Sequence, residues 1–133
     1  MYFLDSNTCI YFLNGTFSSI KTKLLSTSPS EIKIPAIVKA ELVLGAYKST
    51  RREKTLETLE AFLEPFEIIS FVDQMAYTYA DIRYKTETMG KKIGPNDLVI
   101  ASIVKFHEGI LITHNVKEFT RIEALQIEDW VVE

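Results

Sequence analysis

Short apolar runs alternate along this chain with stretches of helical periodicity, and polar turns separate them. Tyr2-Phe3-Leu4 is the first run and reads as a buried strand ending at Asp5. Ser6 to Leu13 then begins a helix, closed by the turn pair Asn14-Gly15. Phe17 to Leu25 reads as a second helix, with Ile20, Leu24 and Leu25 at helical spacing. The polar stretch Ser26 to Ser30 breaks it, and Glu31 to Ile34 reads as a strand stopped by Pro35. Helices are predicted from Ala36 to Tyr47 and from Arg51 to Leu63, the second amphipathic through Leu56, Leu59, Phe62 and Leu63 and ended by Pro65. Glu67 to Phe71 is the next strand. Asp73 to Met89 is a long helix with Met75, Tyr79 and Ile82 on one stripe and Gly90 as its stop. Pro95 to Phe106 is a helix whose middle is nearly all apolar, and strands follow at Ile110 to Thr113 and Leu125 to Ile127.

Strands that alternate with helices predict an α/β fold, with a parallel sheet covered on both faces. The apolar helix segment Leu98 to Val104 is expected to lie deep against it. A length of 133 residues suits one domain. No apolar run approaches the roughly 20 residues that span a bilayer. The start lacks a basic region and places Asp5 inside its apolar stretch, so no signal peptide is expected. The single cysteine, Cys9, excludes an internal disulfide and a thiolate zinc site and reads as a small core residue. A cytoplasmic protein is the expectation.

The net charge of −3 weighs mildly against a nucleic-acid binder. The basic residues are clustered, however. Lys48, Arg51, Arg52 and Lys54 form one group, Lys85, Lys91 and Lys92 a second, Lys117 and Arg121 a third. Lys91 and Lys92, just before Asp97, are candidates to line an RNA path.

Three acids stand out by position. Asp5 directly follows the first strand, where ligands of α/β sheets bind; capping the next helix is its structural alternative, although Ser6 or Asn7 could cap instead. Glu41 shares a stripe with Ile37 and Leu44, while Lys39, Val43 and Ala46 form the more polar stripe. Glu41 is therefore expected to face the apolar side and to need a cation, either Lys or Arg or a metal ion. Asp97 opens the apolar helix behind Pro95, where a carboxylate also suits the helix dipole. Acids that meet at one sheet edge repel one another and favour a divalent ion; an all-oxygen site suits Mg²⁺ or Mn²⁺. Asn115 follows the strand at Ile110, with Glu118 three residues on. His114 is a candidate for substrate contact, and His107 reads as structural. A phosphotransferase of the haloacid-dehalogenase type needs a second aspartate two residues after Asp5, and Asn7 stands there.

The ordered set Leu4-Asp5-Ser6-Asn7, Ala40-Glu41-Leu42 with Gly45, Ile93-Gly94-Pro95-Asn96-Asp97 with Ile100-Ala101, Thr113-His114-Asn115 with Glu118-Phe119, and Glu128-Asp129-Trp130 resembles the PIN-domain ribonucleases. Within that family it is most similar to the VapC-type toxins of toxin–antitoxin pairs. The resemblance covers almost the whole chain. It implies one PIN-like nuclease domain over residues 1–133, a three-layer α/β/α fold with a central, mainly parallel twisted sheet. It implies a metal-dependent endoribonuclease that inhibits translation, with transfer RNA, notably the initiator anticodon region, as substrate. Asp5, Glu41 and Asp97 resemble the metal-binding, catalytic acids, with Ser6 as a supporting hydroxyl. The fourth acid of many relatives falls at Asn115, which carries no charge, and Glu118 is the candidate replacement. A VapB-type antitoxin, a homodimer and higher toxin–antitoxin assemblies are implied as partners. The alternative is a catalytically silent PIN-like RNA-binding module.

Overall fold

The computed structural model describes residues 1–132. Five strands run β1 (Tyr2–Leu4), β2 (Ile32–Pro35), β3 (Glu67–Ile69), β4 (Ile110–Ile112) and β5 (Gln126–Glu128). They form one sheet in the spatial order β3-β2-β1-β4-β5, and every adjacent pair is parallel. The crossovers hold α1 (Ser6–Asn14), α2 (Ser18–Ser26), α3 (Ala36–Lys48), α4 (Arg52–Leu63), α5 (Met75–Thr88), α6 (Pro95–Phe106) and α7 (Val116–Phe119). The chain steps outward from β1 to β3, then crosses back to β4. Right-handed crossovers therefore put α1 to α4 on one face and α5 and α6 on the other, a three-layer α/β/α arrangement. The packing of α3 on α1 and α4, and of α5 on α6, agrees with this. Phe3, Leu4, Leu111 and Ile112 are buried, which is why β1 and β4 read as apolar runs, while β2 alternates, with Ile32 and Ile34 buried around Lys33.

Most predicted elements form within a residue or two of their expected ends. Helix α6 starts and stops where the pattern put it, with Pro95 at its first position. Its buried Ser102 donates to its own helix at Leu98 O, 2.6 Å away, so the core holds no orphan there. Gly90 adopts φ 69°, and Lys91 N–H donates to Thr86 O to close α5. Asp73 and Gln74 form a turn before α5 and are not part of it.

Some expectations need correction. Pro35 does not stop β2 from outside. It is the last strand residue, in register with Ile69, where the missing N–H costs little. Leu25 is exposed, because α2 turns only Ile20 and Leu24 inward. The four-residue α7 is too short to leave a periodic signature.

Candidate active site

Strands β1 and β4 are neighbours, and the chain direction across the sheet reverses between them. Such a switch point opens a crevice at the carboxyl ends of the strands. Asp5 stands there on β1 and Thr113 beside it on β4. Asp5 is buried and fully engaged. Its N–H donates to Ile112 O, its Oδ1 accepts from Thr8 N–H at 2.9 Å, and its Oδ2 accepts from the buried Thr113 hydroxyl. The N-cap of α1 is therefore Asp5 itself, and neither Ser6 nor Asn7 takes that place. Capping and a role in the crevice are not alternatives here, because one carboxylate oxygen caps and the other faces Thr113.

Ser6 does something else. Its hydroxyl donates to Glu41 Oε1 at 2.6 Å, which ties the start of α1 to α3. The other Glu41 oxygen accepts from the Asn96 amide at 3.4 Å, on the first turn of α6. The helix face of Glu41 differs from the sequence reading. The buried stripe of α3 is Val38, Leu42 and Ala46, while Leu44 is 53% exposed. Ala46, expected on the polar stripe, is buried, and Leu44, expected on the apolar one, faces solvent. Because α3 touches the sheet, α1, α4 and α6, its contacts are spread around its circumference and the periodicity is weak. Glu41 sits at the border of the buried stripe, half-covered, with its head at the crevice.

Asp97 completes the group from the opposite side of the sheet. Partial burial and, in order, the carboxylates of Glu118, Glu41 and Asp5 push its carboxyl up to about 6. Burial also raises Asp5, against the hydrogen bonds from Thr113 and Thr8, and Glu41 adds to the rise. These four acids thus feel one another although they come from four separate elements. Among the described residues no ion pair includes Asp5, Glu41, Asp97 or Glu118. The lysine or arginine partner that Glu41 could have taken is not present. Nor are three Asp, Glu, His or Cys side chains among the described residues clustered tightly enough to ligate a metal ion together as they stand. The donor set nonetheless fits a hard divalent cation: it is all oxygen, acidic and unneutralised by protein cations.

This geometry has a consequence for stability in EDTA. A carboxyl whose folded pKa lies near 6, above its unfolded value of 3.8, favours folding below pH 4 and loses that contribution as pH rises through 6. Asp97→Asn removes the repulsion, so the metal-free variant should be more stable than the parent at pH 7. With half the group open to solvent, the gain is ~1 kcal/mol. Urea denaturation at pH 4.5 and 7 measures it; equal or lower stability of the variant at pH 7 contradicts the repulsion.

Comparison with known proteins decides the family. The PIN domain model matches residues 2–125. The chain belongs to the PIN-domain family. Within it, the chain is 39% identical over 131 residues to "Ribonuclease VapC2" of Rickettsia felis, covering 98% of both. It is 32% identical over 129 residues to "tRNA(fMet)-specific endonuclease VapC" of Salmonella typhimurium, covering 97% of both. Among solved structures, the Rickettsia felis VapBC2 complex bound to a DNA fragment from its promoter superposes with a TM-score of 0.90 at 38% identity, over 97% of this chain and 98% of that one.

The remaining sequence candidates of this PIN domain divide. Glu118 joins the group: its Oε1 accepts from Gly94 N–H at 3.1 Å and its Oε2 from the Asn115 amide at 2.7 Å. It fastens the loop before Asp97 to α7, a latch that sequence reading missed. Asn115 N–H donates to the Thr113 hydroxyl, so one threonine orients both Asp5 and the Asn115 backbone. The sequence marks Thr113 as part of the motif Thr113-His114-Asn115 at a strand end, without indicating that it holds Asp5. His114 points elsewhere. Its Nδ1 lies 2.8 Å from Asp129 Oδ2, and its ring packs against Tyr11 and Phe17. Lys91 lines a cavity with Lys85, Lys105 and Arg121, and Lys92 a smaller one with Arg83 and Pro95. Neither cavity is lined by the three acids. Arg121 holds this loop by donating to Lys92 O at 3.0 Å.

Proposed function

We propose that residues 1–133 form a single nuclease unit that hydrolyses RNA phosphodiester bonds as the toxin of a toxin–antitoxin pair. The observation that carries this reading is the convergence of Asp5, Glu41 and Asp97 on the sheet's switch point, where among the described residues no protein cation pairs with them. Asp5, Glu41 and Asp97 would hold Mg²⁺ or Mn²⁺, with Glu118 and Asn115 at the rim in place of a fourth acid. Such an ion supplies Lewis-acid charge to the phosphate oxygens and makes water a better nucleophile at neutral pH.

The chain's own residues do the rest. Thr113 and Thr8 fix the Asp5 carboxylate, Ser6 and Asn96 hold Glu41, and Glu118 fixes the loop that presents Asp97. These contacts orient the acids before substrate arrives, so little reorganisation accompanies the chemistry. Acids held this way repel phosphate in the absence of a divalent ion, which makes activity metal-dependent. The name of the Salmonella typhimurium relative supports initiator tRNA as substrate. The VapBC complexes of Rickettsia felis and Salmonella typhimurium support a VapB-type antitoxin partner. Among the described residues no helix is long and apolar enough to cross a membrane.

The test is cleavage of purified tRNA with Mg²⁺ or Mn²⁺ and with EDTA. Fragments with 5′-phosphate ends that appear only with metal are the expected result. Binding without cleavage under every metal condition supports the silent RNA-binding module instead.

A further inference from the structure

A second basic group borders the acids on the side away from Lys91 and Lys92. Between α1, α3 and α4 lies a groove of about 450 Å³ that begins at Glu41. Its floor is apolar, built from Ile10, Leu13, Leu42 and Leu59, and Thr55, Thr58 and Asn14 supply polar groups. Arg51 and Lys54 stand on its rim, both exposed. They belong to the same cluster as Arg52, but Arg52 is committed. Its Nε and Nη2 donate to Tyr47 O, and its guanidinium lies 4.5 Å from the Tyr47 ring centroid. Among the described residues the side chains of Arg51 and Lys54 have no ion-pair or hydrogen-bond partner. They also stand at the start of α4, where the helix dipole disfavours cations.

Resting on the ribonuclease reading above, we propose that this groove is the subsite for a single-stranded nucleotide flanking the scissile phosphate, with that nucleotide's own phosphate on Arg51 and Lys54. The occupant follows from charge and continuity. Two unpaired cations complement a phosphate, and an apolar floor takes the face of a base. Glu41 lines this groove and also accepts from Ser6 beside Asp5, so it is shared between groove and acids. A strand entering here runs from a positive rim to the acid cluster, so the rim supplies the attraction that the acids lack. Single-stranded ligands bind proteins by this combination of backbone charge and base contact.

The experiment is fluorescence-anisotropy titration of a labelled octaribonucleotide in EDTA with the full chain, alone and as the Arg51→Gln/Lys54→Gln variant. A Lys21→Gln/Lys23→Gln variant, altered on α2 outside the groove, is the charge-matched control; circular dichroism verifies that all three are folded. The groove variant is expected to bind at least fivefold more weakly at 50 mM salt. Its plot of log affinity against log salt should flatten by about 0.7, as one lost phosphate contact on a single strand requires. The control should stay within twofold. Equal weakening in both variants, unchanged affinity in the groove variant, or no RNA binding by the parent overturns the proposal. So does loss of binding to a protein partner with RNA affinity intact, which assigns the groove to protein. Failure of the parent to cleave RNA with metal, while the groove variant alone loses affinity, defeats the ribonuclease reading and leaves the subsite standing.

Discussion

Asp97→Asn should lower metal-dependent RNA cleavage by a factor on the order of 10²–10⁴ while the fold persists. The substitution is isosteric and stands in the first turn of α6, behind Pro95, where an amide does not disturb the helix start. What it removes is one negative charge of the three that would hold the ion. The same change relieves the partial burial of a charge and, after it, the repulsion from Glu118, Glu41 and Asp5, which together raise the Asp97 carboxyl to about 6. Lost activity is thus coupled to greater metal-free stability at pH 7, an outcome that a merely structural role does not produce. Asp5→Asn tests the generality of the result. Asparagine caps a helix about as well as aspartate, so α1 should survive while activity falls. The measurement is initial cleavage rate against Mn²⁺ concentration, beside urea denaturation in EDTA. Full cleavage by purified Asp97→Asn protein, with contaminating nuclease excluded by a mock preparation, sinks the three-acid site. Lost cleavage together with an unfolded variant assigns Asp97 to the fold instead.

Gly109→Ala should destabilise the protein by ~1–3 kcal/mol, far more than an ordinary surface glycine. Gly109 joins α6 to β4, and its N–H closes α6 by donating to Val104 O. The left-handed residue of that turn is Glu108, at φ 54°. Backbone freedom is therefore not the reason for glycine here. An added β-carbon would stand 2.5 and 2.7 Å from Phe3 Cε1 and Cδ1 and 3.3 Å from Met1 O. Phe3 is completely buried at the centre of the sheet and stacked on His107, so its ring has nowhere to go. A thermodynamic cycle with Phe3→Leu separates this clash from other causes. Phe3→Leu should cost less in the Gly109→Ala background than alone, because it removes the obstructing ring. Strict additivity of the two substitutions in urea denaturation excludes the clash as the cause.

The amino-acid sequence carries a good deal of this protein. Its apolar runs are the strands, since a sheet buried on both faces needs no alternation. Helix α6 was legible to the residue because proline, an acid and a solid apolar middle agree with one another. The three acids could be named from their places after a strand, on a helix and at a helix start, and from the order of the surrounding motifs. Tertiary structure alone decided how they are held. The Ser6 to Glu41, Thr113 to Asp5 and Gly94 to Glu118 contacts span 35, 108 and 24 residues, and no local pattern encodes a hydrogen bond of that range. It also decided which face of α3 is buried, because a helix packed against several neighbours has no single stripe for periodicity to find. Pairing His114 with Asp129, and leaving Arg51 and Lys54 unpaired while Arg52 is bound, belong to the same class. Sequence distinguishes residues by chemistry and local spacing, while the environment of a charge is fixed only when distant segments pack around it.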